Sequence, residues 1–452
     1  MIFNPCPNDE CESLCISGDK EPEAVSVTAI GAGEGDTAGI SAVDNDVEKT
    51  AGTEAAEKRD KTIPDGLYEK TSEKTSGKPS EKLSKKPLDE PLGLYIHVPF
   101  CTSRCPYCDF YSTTSKKDIG EYAAAVKRTI CEYAEKAGRK ASSLYIGGGT
   151  PGALDTPILC DIVKTSVECF GIDGQKEATC EFNPEMAKKE RFEAVKKAGI
   201  NRISMGLQSS NGEELRLLGR HHSALDAQNA VFLARESGFD NISLDIMLGL
   251  PFQSEKTLGD TIDFCARCGA DHISSYILKI EPNSVFGKMG IKGLPDDERT
   301  GELYLFAVEK LRSHGYIQYE ISNFARDGKQ GQHNINYWEC GQYIGIGPAA
   351  HSFFNGRRFF YKRSLKDFLS GAPPVDDGEG GNYEEHIMLG LRLSKGISLK
   401  YLGRKFGVGI DGKRLKFIKR LDESGLAVFD GDNLRLTPRG FLVSNAIIAE
   451  LI

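Results

Sequence analysis

Three cysteines fall within one short stretch, Cys101-Thr102-Ser103-Arg104-Cys105-Pro106-Tyr107-Cys108, with the spacing C-x-x-x-C-x-x-C. The run Leu94-Tyr95-Ile96-His97-Val98-Pro99-Phe100 leads straight into them. Cysteine thiolates are the usual ligands of iron–sulfur clusters, normally four to a cluster. Three on one loop leave one iron without a protein ligand, and an open coordination position is one that a substrate or cofactor completes. The other chemistry open to this loop is structural zinc. His97 or Asp109 then has to serve as fourth ligand, because no second Cys/His pair follows at zinc-finger spacing.

The elements that position such a loop follow from the pattern after Gly93, where short β-type runs alternate with helical periodicity, the sign of βα units and a parallel sheet. Strands are expected at Leu94–Val98, Ser143–Gly147, Ala178–Phe182, Asn201–Met205, Asn241–Leu248 and His272–Leu278. Helices are expected at Glu121–Ala137, Pro157–Phe170, Met186–Ala198, Ala224–Gly238 and Thr257–Gly269. Six units are fewer than the eight that close a barrel, and in such folds chemistry sits at the C-terminal ends of the strands.

The polar punctuation falls at those ends. Gly147-Gly148-Gly149-Thr150-Pro151 follows the second strand, where glycines let backbone approach a ligand closely. Glu181 stands in an otherwise apolar strand, an expensive place for a carboxylate without a partner. Gln208, Arg220 and Asp245 follow from the fourth and fifth units, and Tyr276 from the sixth is expected to point into the barrel. Each of these taken singly also fits a satisfied structural group. Cys265 and Cys268 read as small buried residues of a helix, and His221-His222 as shaping a polar loop.

The cysteine loop, followed by an aromatic, resembles that of radical S-adenosylmethionine (radical SAM) enzymes. Tyr95-Ile96-His97-Val98-Pro99-Phe100-Cys101 is similar to the oxygen-independent coproporphyrinogen III oxidase branch of that superfamily. The resemblance implies an open six-unit (β/α) partial TIM barrel and a 4Fe-4S cluster on Cys101, Cys105 and Cys108. It also implies S-adenosyl-L-methionine on the open iron, cleaved by an electron to a 5′-deoxyadenosyl radical, the cofactor carrying the hard chemistry. Carried over residue by residue, Tyr95, Gly148, Gly149, Thr150, Glu181, Gln208, Arg220 and Asp245 become the cofactor-binding set. Arg220 would pair with the cofactor carboxylate, a task that suits guanidinium.

Beyond the barrel, helix-like Gly301–Ser313 leads to Gln332-His333-Asn334-Ile335-Asn336-Tyr337-Trp338, which holds the single tryptophan. An imidazole beside large aromatics can ligate haem iron and stack on a porphyrin. The same residues also suit an aromatic core patch with a hydrogen-bonded histidine. H-N-x-x-Y-W, followed by Tyr343–Gly347 and Ala350-His351-Ser352, resembles the haem chaperones of the HemW type. That implies haem binding through His333, Asn334, Tyr337 and Trp338, with His351 and Cys340 as further iron-ligand candidates. Oxidases of the branch carry a fourth cysteine two residues after the third, where this chain has Phe110. The expected function is therefore haem binding near the motif and the barrel mouth, with delivery to acceptor haem proteins. The alternative is radical decarboxylation of coproporphyrinogen III, so whether the protein is an enzyme stays open.

Residues 371–382, rich in Gly, Pro and Asp, read as a linker. After it come helices at Glu384–Ser394 and Gly412–Gly425, a hairpin at Leu426–Phe429 and Leu434–Thr437, and a final helix from Pro438 to Ile452. That outline is winged-helix-like. Lys413, Arg414, Lys416, Lys419 and Arg420 read as a solvated helix face, and the net charge of −8 gives no general case for nucleic acid. The organisation expected is a disordered tail over 1–90, the barrel over 91–290, an extension carrying the motif over 291–372, and the C-terminal domain over 373–452. The tail is Ala/Gly/Glu/Asp/Thr-rich and then Lys/Glu/Ser-rich, too poor in apolar residues to offset ordering entropy, with Cys6, Cys11 and Cys15 as free thiols. No ~18-residue apolar run suggests a spanning helix. No secretion signal is evident, and thirteen cysteines, most of them scattered singly, suit a reducing cytoplasm with one metal site. By analogy with the family, a homodimer and transient membrane contact during delivery are expected.

Overall fold

Period-two alternation sorts each barrel strand into two faces, and the computed structural model, which describes residues 90–452, shows what each face meets. The expected tail with Cys6, Cys11 and Cys15 lies outside the described residues. Six parallel strands run in sequence order: β1 (Leu92–Val98), β2 (Ser143–Gly148), β3 (Glu177–Phe182), β4 (Arg202–Gln208), β5 (Ile242–Leu248) and β6 (His272–Ile277). The crossovers are α1 (Ile119–Ala137), α2 (Thr156–Cys169), α3 (Lys189–Ala198), the pair α4 (Gly212–Leu217) and α5 (Ala224–Glu236), and α6 (Glu255–Arg267).

Parallel register aligns one face of every strand into layers. Tyr95 lies opposite Tyr145, His97 opposite Gly147, Tyr145 opposite Thr179, Glu181 opposite Ser204, Gly206 opposite Asp245, and Asp245 opposite Ser274. This polar face lines the barrel lumen. The alternate residues, Leu94, Ile96, Leu144, Ile146, Cys180, Ile203, Met205, Leu244, Ile246 and Ile273, are fully buried in the core. A parallel sheet covered by helices is expected to hide such a face. The strands are therefore legible as apolar runs interrupted at every second position by the residues available for chemistry.

The chain beyond β6 adds α7 (Val285–Met289) and α8 (Asp297–Ser313), then extends the same sheet at both edges. Strands β7 (Ile317–Gln318) and β8 (Asn323–Ala325) pair antiparallel beside β6. After α9 (Gln332–Trp338), β9 (Gln342–Ile346) pairs parallel with β1. Antiparallel β10 (His351–Phe354) and β11 (Arg357–Phe360), then α10 (Leu365–Leu369) and antiparallel β12 (Val375–Glu379), complete twelve strands.

β12 corrects the expected linker at 371–382. Its Asp376 and Asp377 are exposed, as charged residues commonly are on edge strands, and Arg357 of β11 pairs with Asp376. The helix expected from Met186 begins at Lys189, because Pro184–Met186 forms a 3₁₀ turn and Lys188 is extended.

The C-terminal part comprises α11 (Tyr383–Gly390), β13 (Ile397–Ser398), α12 (Leu399–Phe406), α13 (Gly412–Glu423), β14 (Ala427–Phe429), β15 (Asn433–Leu436), α14 (Pro438–Leu442) and α15 (Ser444–Leu451). The three short strands form their own sheet, in the order β13-β15-β14. The single final helix expected from Pro438 is broken at Val443, whose φ of −114° and ψ of 18° depart from helix. The helix expected over Glu384–Ser394 ends at Gly390.

Candidate functional site

The cysteine loop leaves β1 at the C-terminal mouth of the barrel. Backbone ties anchor it: Cys101 N–H donates to Thr113 O at 3.0 Å, Thr113 N–H to Pro99 O at 2.7 Å, and Cys108 N–H to Cys105 O at 3.1 Å. Cys105 and Cys108 pack against a small apolar cluster that includes Tyr107, Leu218, Leu250 and Phe286. Burial pushes the Cys101 thiol up and the Cys108 thiol to about 11. Metal binding here must therefore release protons. Among the described residues, no three His, Cys, Asp or Glu side chains converge on a single ion position.

The glycine turn after β2 is locked to that loop. Gly149 N–H donates to Val98 O and Thr150 N–H to Phe100 O, both at 2.8 Å. The Thr150 hydroxyl lies 3.7 Å from Cys101 Sγ. A Cβ on Gly147 would sit 2.8 Å from the Glu181 carboxyl, on Gly148 2.6 Å from the His97 ring, and on Gly149 2.8 Å from Phe100 O. The triple glycine is thus a steric requirement of three segments meeting at the mouth.

Inside the lumen, Glu181 accepts from Tyr145 Oη at 2.6 Å and from Gly148 N–H at 3.2 Å. Burial pushes its carboxyl up to about 7, against the lowering effect of the Tyr145 bond. Ser204 Oγ donates to Asp245 at 3.2 Å, and burial raises this carboxyl too. Tyr276 has Asp245 and Glu181 as near charges, so it does face the lumen. Tyr95 donates from its hydroxyl to His97 Nδ1 at 3.0 Å, and His97 Nε2 donates to Tyr111 O at 2.9 Å. Burial pulls His97 down to about 4, so its ring is neutral.

Gln208, at the end of β4, has φ 68°, a left-handed conformation that costs a non-glycine residue energy and recurs at ligand clamps. Arg220 donates to Asn183 Oδ1 at 3.0 Å, while its Nε is buried without a partner. It lies beside Tyr107, Cys105 and Cys108, whose charges favour its ionised form although burial opposes it. The cysteine loop, Gly148–Thr150, Glu181, Gln208, Arg220 and Asp245 thus stand at one end of one lumen. An unfilled guanidinium donor, a strained glutamine and three thiols on one short loop suit an iron–sulfur cluster with an anionic and hydroxyl-rich ligand.

The H-N-x-x-Y-W motif lies at the opposite end. It is α9, and a Cβ on Gly93, at the start of β1, would sit 3.3 Å from His333 Cε1. The strand from Gly93 to Val98 separates it from the mouth by roughly 17 Å. His333 is fully buried, bonded through Nδ1 to Ser143 Oγ at 2.8 Å and through Nε2 to Tyr337 Oη at 2.7 Å. Its ring stacks on Tyr145 at 5.3 Å, and burial pulls it down to about 3. Tyr337 packs edge-on against Tyr343 at 4.4 Å. Asn334 and Trp338 are only partly buried, and Trp338 Nε1 has no partner.

The expectation that motif and mouth lie together is therefore corrected: α9 seals the floor. Cys340 also lies at that end, its Sγ 3.8 Å from Glu385. His351 follows the turn after β9 and so lies at the mouth, stacked on Phe360 at 5.0 Å. Nearby Arg363 pairs with Asp109 of the cysteine loop, and Phe110 is 41% exposed.

Sequence reasoning passed over Tyr145 and Arg202. Tyr145 joins Glu181 to His333; its signal is a lone tyrosine one turn of the pleat before Gly147. Arg202 is 4% exposed, with its Nε unpartnered, and opens β4 on the lumen face opposite Thr179, to whose hydroxyl it donates at 3.4 Å.

Comparison with known proteins gives concordant matches. Residues 95–265 match the Radical SAM superfamily and residues 382–443 the HemN C-terminal domain. The chain is 34% identical over 372 residues to a protein of Bacillus subtilis named heme chaperone HemW, covering 79% of this chain and 98% of that one. It is 39% identical over 290 residues to the Escherichia coli protein of the same name, covering 62% and 76%. A Bos taurus protein, radical S-adenosyl methionine domain-containing protein 1, mitochondrial, is 32% identical over 399 residues, covering 81% and 88%. The solved Escherichia coli coproporphyrinogen III oxidase HemN superposes with a TM-score of 0.70 at 22% identity, covering 80% of this chain and 90% of that one, a likeness of fold.

Proposed function

The chain belongs to the HemW family of radical SAM proteins, and from that premise we propose that it is a haem chaperone, binding haem and passing it to acceptor haem proteins. One observation carries this: the match to a heme chaperone runs over 98% of that protein's length. Phe110, where the oxidases of the branch carry a further cysteine, points the same way.

Cys101, Cys105 and Cys108 would hold the 4Fe-4S cluster, and Tyr95, Gly148, Gly149, Thr150, Glu181, Gln208, Arg220 and Asp245 would hold S-adenosyl-L-methionine. Bound there, the pair supplies one-electron chemistry at the open iron. The protein's own part is to keep that mouth ordered. The Gly147–Gly149 backbone admits the ligand, Arg220 offers an unpaired donor to a carboxylate, and Glu181, once ionised, faces a cation. His97 holds the Tyr111 carbonyl and thereby the far side of the cysteine loop.

Haem is placed at the mouth, where His351 is the candidate iron ligand. Burial keeps its imidazole neutral, the form that ligates. His333 has both nitrogens engaged; ligation by it requires α9 to leave the floor. Delivery involves acceptor proteins, with a homodimer and transient membrane contact as accompanying proposals; no helix of the described residues is long and apolar enough to cross a membrane.

The test uses anaerobically reconstituted protein in two assays. A haem titration followed at the Soret band is expected to saturate at one haem per chain. Coproporphyrinogen III with reductant and S-adenosyl-L-methionine is expected to give no protoporphyrinogen. Turnover without stable haem binding would replace the chaperone by the oxidase.

A further inference from the structure

Thirteen cysteines are more than one cluster uses, and two of the others meet. Cys131 lies in the C-terminal half of α1, and Cys169 is the last residue of α2. Their sulfurs are 2.6 Å apart, closer than two unbonded sulfurs rest, across 38 positions of sequence. Both residues are only partly buried, so small solutes reach them. Neither touches the lumen: α1 and α2 pack on the outside of β1 and β2, and their C-terminal ends face the floor, away from the cysteine loop. By contrast Cys160, Cys180 and Cys265 are buried.

We propose that Cys131 and Cys169 are a reversible disulfide site that staples α1 to α2, formed by exchange with a small-molecule disulfide such as oxidised glutathione. One protein thiolate attacks the glutathione S–S bond and expels one glutathione thiolate. The other protein thiolate then attacks the mixed disulfide on the protein sulfur, closing the Cys131–Cys169 bond and expelling the second glutathione. Two protein thiols are oxidised, one glutathione disulfide is reduced to two thiols, and the two protons pass to the glutathione thiolates. Burial and the adjacent Cys131 sulfur push the Cys169 thiol up to about 11, so exchange accelerates as pH rises.

The bond would join the two helices that back β1 and β2, the strands carrying the cysteine loop and the glycine turn. It would do so from the floor end, leaving the cluster thiols alone. Oxidation then stiffens the half of the barrel that bears the cofactor without consuming the cofactor.

The experiment equilibrates the cluster-loaded protein anaerobically in glutathione buffers from fully reduced to fully oxidised, at pH 8. Free thiols are then alkylated, and the digest is read by mass spectrometry. The expected result at the oxidised end is a linked Cys131–Cys169 peptide that reappears as two alkylated peptides in dithiothreitol, with cluster absorbance retained. Cys169→Ser is expected to carry glutathione on Cys131 instead. Recovery of Cys131 and Cys169 as separately alkylated or separately glutathionylated peptides from oxidised native protein would overturn the proposal.

Discussion

Replacing His333 with alanine separates a structural histidine from an iron ligand. The substitution removes two buried hydrogen bonds, leaving Ser143 Oγ and Tyr337 Oη without the partner each has now. A buried group left unsatisfied costs about 1–3 kcal/mol. The lost stacking on Tyr145 adds about 0.5–1.5 kcal/mol. For the two hydroxyls together the sum is roughly 2.5–7.5 kcal/mol, a large share of the ~5–15 kcal/mol that holds a typical domain. His333→Gln keeps part of the hydrogen bonding and is expected to lose less than half as much. Urea unfolding, followed by circular dichroism on cluster-loaded protein, measures both. Each variant that remains folded is then titrated with haem. The expected outcome is a large loss of stability in His333→Ala, with the Soret maximum and haem stoichiometry unchanged in His333→Gln. A His333→Ala protein of near-native stability that no longer binds haem would refute the assignment and make His333 the ligand.

Other consequences follow from the same geometry. The folded pKa of His333, about 3, lies below its unfolded value near 6.5, so its contribution is complete above pH 6.5 and is lost as pH falls toward 3. In that window native protein should lose stability faster than His333→Gln, by up to ~1.4 kcal/mol per pH unit; parallel curves from equilibrium unfolding would contradict this. Glu181 has its folded pKa raised to about 7, so below that pH the carboxyl is protonated. Affinity for the cationic S-adenosyl-L-methionine, measured by equilibrium dialysis, should rise as pH passes upward through 7, and Glu181→Gln should abolish the dependence. Gly149→Ala would place a Cβ 2.8 Å from Phe100 O and 3.0 Å from Cys101 Sγ. Reconstituted iron content is expected to fall severalfold, whereas Gly174→Ala, where a Cβ meets nothing, should load normally. His351→Ala should shift the Soret maximum and weaken haem binding at least tenfold, and an unchanged titration would remove it as the ligand.

The six βα units are legible in sequence because the outward face of each strand is apolar and the lumen face is not. The cysteine loop and Gly147–Gly149 are local in chain and in space, so their spacing exposes them. Glu181 and Asp245 stand out for the same reason, as acids inside apolar runs. β12 was hidden because its backbone pairing with β11 leaves the side chains of Asp376 and Asp377 in solvent, which reads as a linker. The place of α9 was hidden for a different reason. Nothing local to His333 and Tyr337 says that Ser143 and Tyr145, nearly two hundred positions earlier, will meet them. A histidine among aromatics looks alike whether it awaits iron or caps a barrel, and only long-range packing tells the two apart. Tyr145 went unnoticed because its role depends on that same contact.

The most direct test of the account is transfer. Haem-loaded protein, carrying its cluster and S-adenosyl-L-methionine, is mixed with an excess of an apo haem protein, and the Soret spectrum of each is resolved over time. The account predicts that haem leaves this chain and appears in the acceptor in equal amount, faster than free haem loss in the acceptor's absence. Haem that stays bound, or departs at the same rate with and without acceptor, would contradict it.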